Sequence, residues 1–288
     1  MNQKIYSELV SSIQNALILA STQLEKPLLQ ALVSMKDSYS EALKRSEKES
    51  KESKQLEASL LVLTMILKNL DISSSKQTPM CQDTGMLIAF ADIGPKASFS
   101  MLDVEKAVTE GATKAIEEGH FRYSIVEEPL FVRKNTLNNL PFVIHYGTQK
   151  EGALSLHFLL KGFGSENCSA TKMLNPTSTA KDVIGVILQM VKEAGGKPCP
   201  PIVVGVGLGG SSEMSAILAK RALLRDVGSY HAEPKYREFE KELLLELQTT
   251  NIGPGGFGGP LTALWASVEY MGTHIAGLPV SVAISCWA

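Results

Sequence analysis

Apolar residues recur every three or four positions through much of residues 1–70, which is the spacing of amphipathic helices. Between the second and third of these runs, residues 42–55 are rich in Lys, Glu and Ser, which predicts a solvated helical face or connection. The pattern therefore predicts a helical lobe over residues 1–70. The repeating positions are Ile5, Leu9, Ile13 and Ala16; Leu28, Leu32 and Met35; and Leu60, Leu63, Ile66 and Leu67.

From residue 71 onward, short apolar runs alternate with further helical patterns. Runs typical of strands occupy residues 86–90, 142–146, 153–160, 201–206 and 280–284. Helical patterns occupy residues 104–116, 183–191, 214–224 and 239–247. Asp103 is the predicted N-cap of the first of these helices and Gly119 its stop. The short polar link between the second and third strands predicts an antiparallel hairpin.

This mixture of elements predicts an α+β fold. We expect the helical N-terminal region to pack on a mixed or antiparallel sheet that carries flanking helices. Residues 1–288 are expected to form one functional unit, made of the helical lobe 1–70 and a body of residues 71–288. The last predicted strand would deliver Cys286 at its end.

Composition narrows the classes of partner. The 288 residues carry a net charge of −2, which gives no electrostatic basis for binding nucleic acid or an anionic membrane surface. No apolar run approaches the roughly 20 residues of a membrane span. The first residues also lack the apolar block of a signal peptide. We therefore expect a soluble, cytoplasmic protein.

Three of the four cysteines lie in short segments rich in Pro, Gly or turn residues. Without a secretory signal, thiols far apart in sequence favour metal ligation, catalysis or burial over disulfides. If folding gathers the three sulfurs, they could hold an iron–sulfur cluster with one iron open to substrate. Zinc is the rival interpretation, although the short-range cysteine pairs of most structural zinc sites are missing. The segments are Pro79-Met80-Cys81-Gln82-Asp83-Thr84-Gly85, Lys197-Pro198-Cys199-Pro200-Pro201 and Ile284-Ser285-Cys286-Trp287-Ala288.

A glycine run follows the second cysteine segment. Gly205, Gly207 and Gly210 satisfy the G-x-G-x-x-G pattern after a predicted strand and before a predicted helix, as in a dinucleotide site. The acidic residue expected at the end of a second strand is not evident, because Asp226 follows a helix. Two other interpretations stay open. Backbone N–H groups could face an anion at the start of the helix, or the glycines could permit close strand–helix packing.

Taken together, these segments resemble the alpha portion of class I iron–sulfur hydro-lyases, the oxygen-sensitive class I fumarases and the L-tartrate dehydratases. The resemblance extends from about Ile5 to Ala288. It implies that Cys81, Cys199 and Cys286 hold a 4Fe–4S cluster with one open iron site. Besides the cysteine segments and the glycine run, it is carried by Arg133-Lys134-Asn135-Thr136, Gly164-Ser165-Glu166-Asn167, Asn251-Ile252-Gly253-Pro254 and Gly256-Phe257-Gly258-Gly259.

The resemblance also implies a substrate site for a small dicarboxylate. Gln82 can donate to a carboxylate or hydroxyl, and Asp83 can accept a proton or orient a hydroxyl. Arg122 matches a substrate arginine that would clamp a carboxylate, and Gly164 can offer a backbone amide. His274 would hold a carboxylate or assist proton transfer. For Asp83, a plain Asp-Thr-Gly turn is the competing interpretation.

Two further positions have less specific interpretations. Residues 133–136, Arg-Lys-Asn-Thr, form a polar cluster suited to anions. Cys168 stands where the family pattern usually carries methionine, which a cluster ligand would not permit. We therefore expect Cys168 to be an ordinary packed or loop cysteine.

The expected activity is the reversible hydration of a C4 dicarboxylate, malate to fumarate, with L-tartrate dehydration as the alternative. Single-chain members of the family continue past the third cysteine into a beta domain, whereas this sequence stops at Ala288. We therefore expect a separate beta subunit, a dimer of alpha–beta pairs and a shared active site. A non-catalytic iron–sulfur sensor and a nucleotide-binding oxidoreductase are the hypotheses from other classes.

Overall fold

The computed structural model describes residues 2–288 and divides them into two compact units. The first unit comprises residues 2–24 and Asn69–Phe163, and the second comprises Glu25–Lys68 and Gly164–Ala288. Both units combine helices with a mixed sheet, which confirms the predicted α+β class. Among residues 2–288, no helix is both long enough and apolar enough to cross a membrane.

The first unit is a three-stranded sheet covered by helices. Its core contains Val10, Ile13 and Leu17 of the first helix, so the buried stripe is rotated from the predicted one and Ile5 is half exposed. These residues pack against the fourth helix and the sheet. The elements are α1 (Gln3–Thr22), the end of α3 (Lys51–Lys76), β1 (Met86–Ile93), α4 (Met101–Glu118), β2 (Val143–Thr148) and β3 (Leu154–Lys161).

The strand order of this sheet is β2-β1-β3, which contradicts the predicted hairpin. β1 lies between the other two strands, parallel to β2 and antiparallel to β3. β2 and β3 were predicted to pair because they are adjacent in sequence. Both instead pair with β1, whose central residues Ile88, Ala89 and Phe90 are buried.

The first turn of α4 corrects another expectation. Its N-cap is Ser100, not Asp103, and the two residues form a reciprocal capping box. The Ser100 side chain accepts from the Asp103 backbone N–H, while the Asp103 carboxylate accepts from the Ser100 backbone N–H. This pairing lowers the pKa of the Asp103 carboxyl. Gly119 ends the helix as predicted.

The second unit is built on a four-stranded sheet in the order β4-β7-β5-β6. β5 is antiparallel to β7 and parallel to β6, and β4 is antiparallel to β7. The sequence patterns did not predict β4 or β6. The elements are α2 (Lys26–Arg45), most of α3, α5 (Phe163–Glu166), β4 (Ala170–Leu174), α6 (Ala180–Ala194), β5 (Ile202–Gly210), α7 (Ser212–Ala222), α8 (Pro234–Gln248), β6 (Ala263–Thr273) and β7 (Leu278–Cys286).

Residues 3–70 are mostly helical as predicted, but their helices divide between the two units. In the second unit, the Tyr39 hydroxyl of α2 donates to the carbonyl of Leu261 at 3.0 Å and accepts from its N–H at 3.3 Å. The Ser59 hydroxyl of α3 donates to the carbonyl of Gly258 at 2.7 Å. Burial raises the pKa of Tyr39 to about 12, so the phenol stays protonated.

Candidate active site

The first cysteine segment is anchored immediately before Cys81. The buried Met80 donates its N–H to the carbonyl of Ser21 at 2.8 Å, and its own carbonyl accepts from the Asn69 side chain at 2.7 Å. Cys81 and Gln82 follow with exposed side chains. The fold thus fixes the backbone on one side of the thiol and leaves the thiol accessible.

The Asp83 carboxylate links two loops of the first unit. Oδ1 accepts from the Gly85 N–H at 3.1 Å and Oδ2 from the Phe163 N–H at 2.9 Å. Gly85 has φ +82°, and a Cβ there would lie 2.5 Å from the carbonyl carbon of Lys161. The turn foreseen for Asp-Thr-Gly therefore exists, and it occupies both carboxylate oxygens. A role in proton transfer stays a prediction.

Arg122 lies in the loop after α4 and contacts the same segment through its backbone. Its N–H donates to the Thr84 hydroxyl at 3.2 Å, and its carbonyl accepts from the Asn139 side chain at 2.8 Å. The Arg122 side chain is exposed. The structure thus brings Cys81, Gln82, Asp83 and Arg122 together within the first unit.

The polar cluster 133–136 belongs to a hairpin that the sequence did not reveal. Val126 bridges Asn135, and the Glu128 carboxylate accepts from the four N–H groups of residues 130–133. These bonds lower the pKa of Glu128 to about 2. The Arg133 guanidinium donates to the carbonyl of Pro129. The hairpin therefore uses the Glu128 carboxylate and the Arg133 guanidinium internally and exposes an apolar tip, in which Phe131 is 86% exposed.

In the second unit, strand pairing brings Cys199 and Cys286 to the same end of the sheet. Cys286 ends β7 directly opposite Ile202, which begins β5 three residues after Cys199. Cys199 is exposed and has φ +55°, a left-handed conformation that is uncommon outside glycine. Its N–H donates to the carbonyl of Gly196 at 3.1 Å. The chain thus adopts a strained turn that leaves this thiol accessible.

The glycine-rich segment 253–259 packs against the Cys199 turn. The Gly255 N–H donates to the carbonyl of Pro200 at 2.8 Å. Gly256 has φ +79°, and a Cβ there would lie 2.9 Å from the Cα of Gly196. The hydrogen bond and the close contact show that this loop supports the backbone of the second cysteine segment. The close approach explains why glycine is needed.

Gly164 lies at the same end of this unit. It is the second residue of α5, and a Cβ there would be 3.5 Å from the carbonyl of Lys197, two residues before Cys199. The Cys168 thiol donates to the Gly164 carbonyl at 3.4 Å and packs partly buried against the core. Within the second unit, the structure therefore groups Gly164 with Cys199 and Cys286.

The glycine run 205–210 lies within β5, with φ +82° at Gly209 and +67° at Gly210 where the strand ends. Side chains at Gly205 and Gly207 would meet α7: a Cβ at Gly205 would lie 2.1 Å from the Ala219 carbonyl oxygen, and one at Gly207 would lie 1.8 Å from that of Ser215. β5 continues to Gly210. Close strand–helix packing therefore accounts for Gly205 and Gly207, and an anion facing the N–H groups at the start of α7 stays a prediction.

His274 lies at the opposite end of this sheet from Cys286. It follows β6 in an exposed turn, where its Nδ1 accepts from the Ala276 N–H at 3.1 Å. β7 begins at Leu278 and reaches Cys286 only after spanning about 26 Å, at a rise of about 3.3 Å per residue. The two cysteines and His274 are therefore not brought together within one copy of the second unit.

A buried charge cluster lies outside the predicted site. The fully buried Glu240 carboxylate accepts from the Arg225 guanidinium at 2.5 Å and from the N–H groups of Val268 and His231. Burial raises the pKa of the neighbouring Glu269. Both Glu240 oxygens accept from groups of the protein itself, so this cluster ties the loop after α7 to β6.

The donor chemistry of the three predicted ligands suits iron. Cys81 and Cys199 are exposed thiols, Cys286 is partly buried at a strand end, and no disulfide joins any of the four cysteines. Within the described residues of either unit, no three His, Cys, Asp or Glu side chains are grouped closely enough to hold a metal ion. Joint ligation by Cys81, Cys199 and Cys286 thus stays a prediction.

Comparison with known proteins identifies the family. A sequence model described as fumarate hydratase (fumerase) matches residues 21–288. The putative L(+)-tartrate dehydratase subunit alpha of Methanocaldococcus jannaschii is 39% identical over 254 residues, covering 86% of this chain and 88% of the relative. The L(+)-tartrate dehydratase subunit alpha of Escherichia coli K12 is 24% identical over 289 residues, covering 99% of this chain and 90% of the relative. The chain belongs to the fumarate hydratase family, as an alpha-type polypeptide of its class I hydro-lyases.

Proposed function

We propose that this chain is the alpha subunit of a 4Fe–4S-dependent hydro-lyase that interconverts malate and fumarate. The observation that carries the proposal is the pairing of β5 with β7, which brings Cys199 and Cys286 to one end of a sheet. The exposed thiol of Cys81, in the segment that also contains Gln82 and Asp83, would supply the third ligand. Three thiolates suit an iron–sulfur cluster.

When bound, the cluster would supply a Lewis-acidic iron that polarises the C–O bond of the substrate hydroxyl. Dehydration of malate removes the hydroxyl from C2 and a proton from C3, and leaves a double bond between them. The residues of this chain then have to bind two carboxylates and orient the hydroxyl. We assign carboxylate binding to Arg122, because a guanidinium can make two parallel hydrogen bonds to a carboxylate.

Gln82 and Asp83 are proposed to contact the substrate from the same segment as Cys81. The exposed Gln82 amide can donate to a carboxylate or hydroxyl. Asp83 retains lone pairs on both oxygens beyond its two backbone hydrogen bonds, so it can still orient a hydroxyl or accept a proton. Gly164, next to the Cys199 segment, would offer its backbone amide.

His274 is proposed to act between copies. Because its turn lies at the far end of the sheet from Cys286, it can approach a cluster only if a second copy presents it. A dimer of alpha–beta pairs would provide such an arrangement. As an imidazolium it would hold a substrate carboxylate, and as a neutral imidazole it could accept a proton.

The beta subunit is proposed to complete the active site and to supply the base. Support comes from the names of the relatives, which are subunits called alpha. The substrate is a small dicarboxylate, and a cytoplasmic location fits the sensitivity of such clusters to oxygen. Neither nucleic acid nor membrane is proposed as a partner, since the net charge is only −2.

L-tartrate dehydration to oxaloacetate is the second candidate. It is favoured by one observation, the name tartrate dehydratase that the relatives carry. Tartrate differs from malate by one more hydroxyl, so the same iron and the same arginine could serve both substrates. Only the environment of the second hydroxyl needs to differ.

The test is an anaerobic assay of this chain with and without its beta-type partner, after reconstitution with iron and sulfide. Fumarate, L-malate and L-tartrate are compared, with citrate as a control that has a third carboxylate. We expect the complex to turn over a C4 substrate and the isolated chain to be inactive. Robust turnover by the isolated chain would refute the shared site, and inactivity of a cluster-loaded complex on all three C4 acids would refute the function.

A further inference from the structure

Arg122 combines an exposed side chain with a tightly held backbone. Among residues 2–288, no hydrogen bond or ion pair of the structure uses its guanidinium, and the side chain is exposed. Arg122 follows α4 without belonging to any helix or strand. The side chain of such a loop arginine normally samples many directions. It can bind a carboxylate in a defined position only if other residues hold its backbone in place.

Two buried side chains hold the backbone on either side of this arginine. The Thr84 hydroxyl accepts from the Arg122 N–H at 3.2 Å. The Asn139 amide donates to the Arg122 carbonyl at 2.8 Å and accepts from the Ser124 N–H at 2.7 Å. Thr84 is 7% exposed and Asn139 is 6% exposed, so water competes little for these bonds.

Asn139 adopts an unfavourable backbone conformation to make these bonds. Its φ is +55°, in the left-handed region that asparagine tolerates better than most residues. Its carboxamide then donates to the Arg122 carbonyl and accepts from the Ser124 N–H, and a shorter side chain could not reach both groups. Thr84 contributes from the other side, three residues after Cys81.

We propose that Thr84 and Asn139 are positioning residues that hold Arg122 in register with the segment of Cys81, Gln82 and Asp83. This inference rests on the substrate role proposed above for Arg122. The segment then has a second role. Besides a thiol and two polar side chains, it supplies the Thr84 hydroxyl that holds the backbone of Arg122. Loss of the Thr84 hydroxyl should therefore act on the substrate only through Arg122.

The kinetic test uses matched variants of the alpha–beta complex with the C4 acid that the wild type turns over. Thr84→Val removes the hydroxyl at nearly constant volume, and Thr84→Ser keeps it. We expect Thr84→Val to raise KM about tenfold with kcat within about threefold, and Thr84→Ser to stay within about twofold of wild type. In an Arg122→Ala background, Thr84→Val should cause no further change.

Independent, multiplying effects of Thr84→Val and Arg122→Ala would overturn the proposal, because they would show that Thr84 does not act through the arginine. Equal impairment by Thr84→Val and Thr84→Ser would overturn it as well. A wild-type complex without turnover would instead refute the proposed function, and the positioning claim would then be decided by a measurement that needs no activity.

That measurement is the rate of tryptic cleavage after Arg122, followed by mass spectrometry on the folded complex. Proteolysis requires local opening, so a looser backbone is cut faster. We expect cleavage in Thr84→Val and in Asn139→Gly at least about fivefold faster than in wild type, with Thr84→Ser unchanged. Asn139→Gly keeps φ +55° accessible and removes the side chain that bonds to the Arg122 carbonyl and the Ser124 N–H. Unchanged cleavage in both variants would contradict the proposed hold on Arg122.

Discussion

The glycines of β5 give the most quantitative prediction of this structure. Gly207 lies beneath α7, and its φ is outside the left-handed region, so alanine is compatible with the backbone. A Cβ there would nevertheless lie 1.8 Å from the Ser215 carbonyl oxygen and 2.6 Å from the Ala219 backbone nitrogen. Both neighbouring atoms belong to the helix backbone, so no side-chain rotation relieves the overlap.

Gly207→Ala must therefore push α7 away from β5 by more than 1 Å, as a contact near 3.4 Å is needed. Overpacking of this kind costs about 3 kcal/mol or more. For a domain of this size, that corresponds to a fall in melting temperature of roughly 6–12 °C. Gly185→Ala is the matched control, because Gly185 is exposed inside α6 and a Cβ there meets nothing within 4 Å.

The assay is thermal and urea unfolding of the two variants, followed by circular dichroism. We expect Gly185→Ala to be stabilised by about 0.5–1 kcal/mol, since alanine replaces glycine in a helix. Gly207→Ala should be strongly destabilised. If Gly207→Ala unfolds like the wild type, the packing account of the glycine run fails and a binding role for the run must be reconsidered.

Three further changes test the polar framework. Glu128→Gln should accelerate hydrogen exchange of the four backbone amides that donate to its carboxylate. Because the pKa of Glu128 in the folded protein is lowered to about 2, protection of these amides in the wild type should be full above about pH 4.5 and disappear as the pH falls towards 2. Tyr39→Phe leaves the partly buried carbonyl and N–H of Leu261 without their partner and should cost about 1–3 kcal/mol in urea unfolding. Arg225→Met should cost about 3–5 kcal/mol because Glu240 stays buried, and the double variant Arg225→Met with Glu240→Gln should recover part of that loss.

Local patterns predicted the parts of this fold that depend on local interactions. The helices of residues 1–70, α6, α7 and α8 follow the apolar period, and β7 ends at Cys286 as expected. Gly195 ends α6 with φ +55°, which glycine tolerates, and Gly119 ends α4 where a Cβ would lie 2.6 Å from the Ala115 carbonyl oxygen. Such features are encoded by neighbours in the sequence.

Features that depend on distant pairing were not predictable in the same way. β2 and β3 look like a hairpin, and only the intervening position of β1 separates them. β4 is mostly exposed at a sheet edge, so it shows no apolar run, and β6 changes from buried to exposed along its length. The glycines of β5 look like a turn in the sequence, because their close packing against α7 depends on contacts between distant elements.

The same difference between local sequence patterns and distant contacts applies to the candidate site. Motifs and the family resemblance predicted Cys81, Cys199, Cys286 and Arg122 as candidate site residues, because these residues lie in distinctive segments. The residues that hold such segments in place, such as Asn139, gave no signal, since one polar side chain in a loop resembles any other. The far position of His274 became visible only from strand register.

The most direct test of the account is the cluster content of single cysteine variants in the alpha–beta complex. Iron, acid-labile sulfide and the electron paramagnetic resonance spectrum are measured after anaerobic reconstitution. We expect Cys81→Ser, Cys199→Ser and Cys286→Ser each to lose the cluster, and Cys168→Ser to keep about four irons per alpha chain. A full cluster in any of the first three variants, or its loss from Cys168→Ser, would contradict the assignment of ligands on which the proposed function depends.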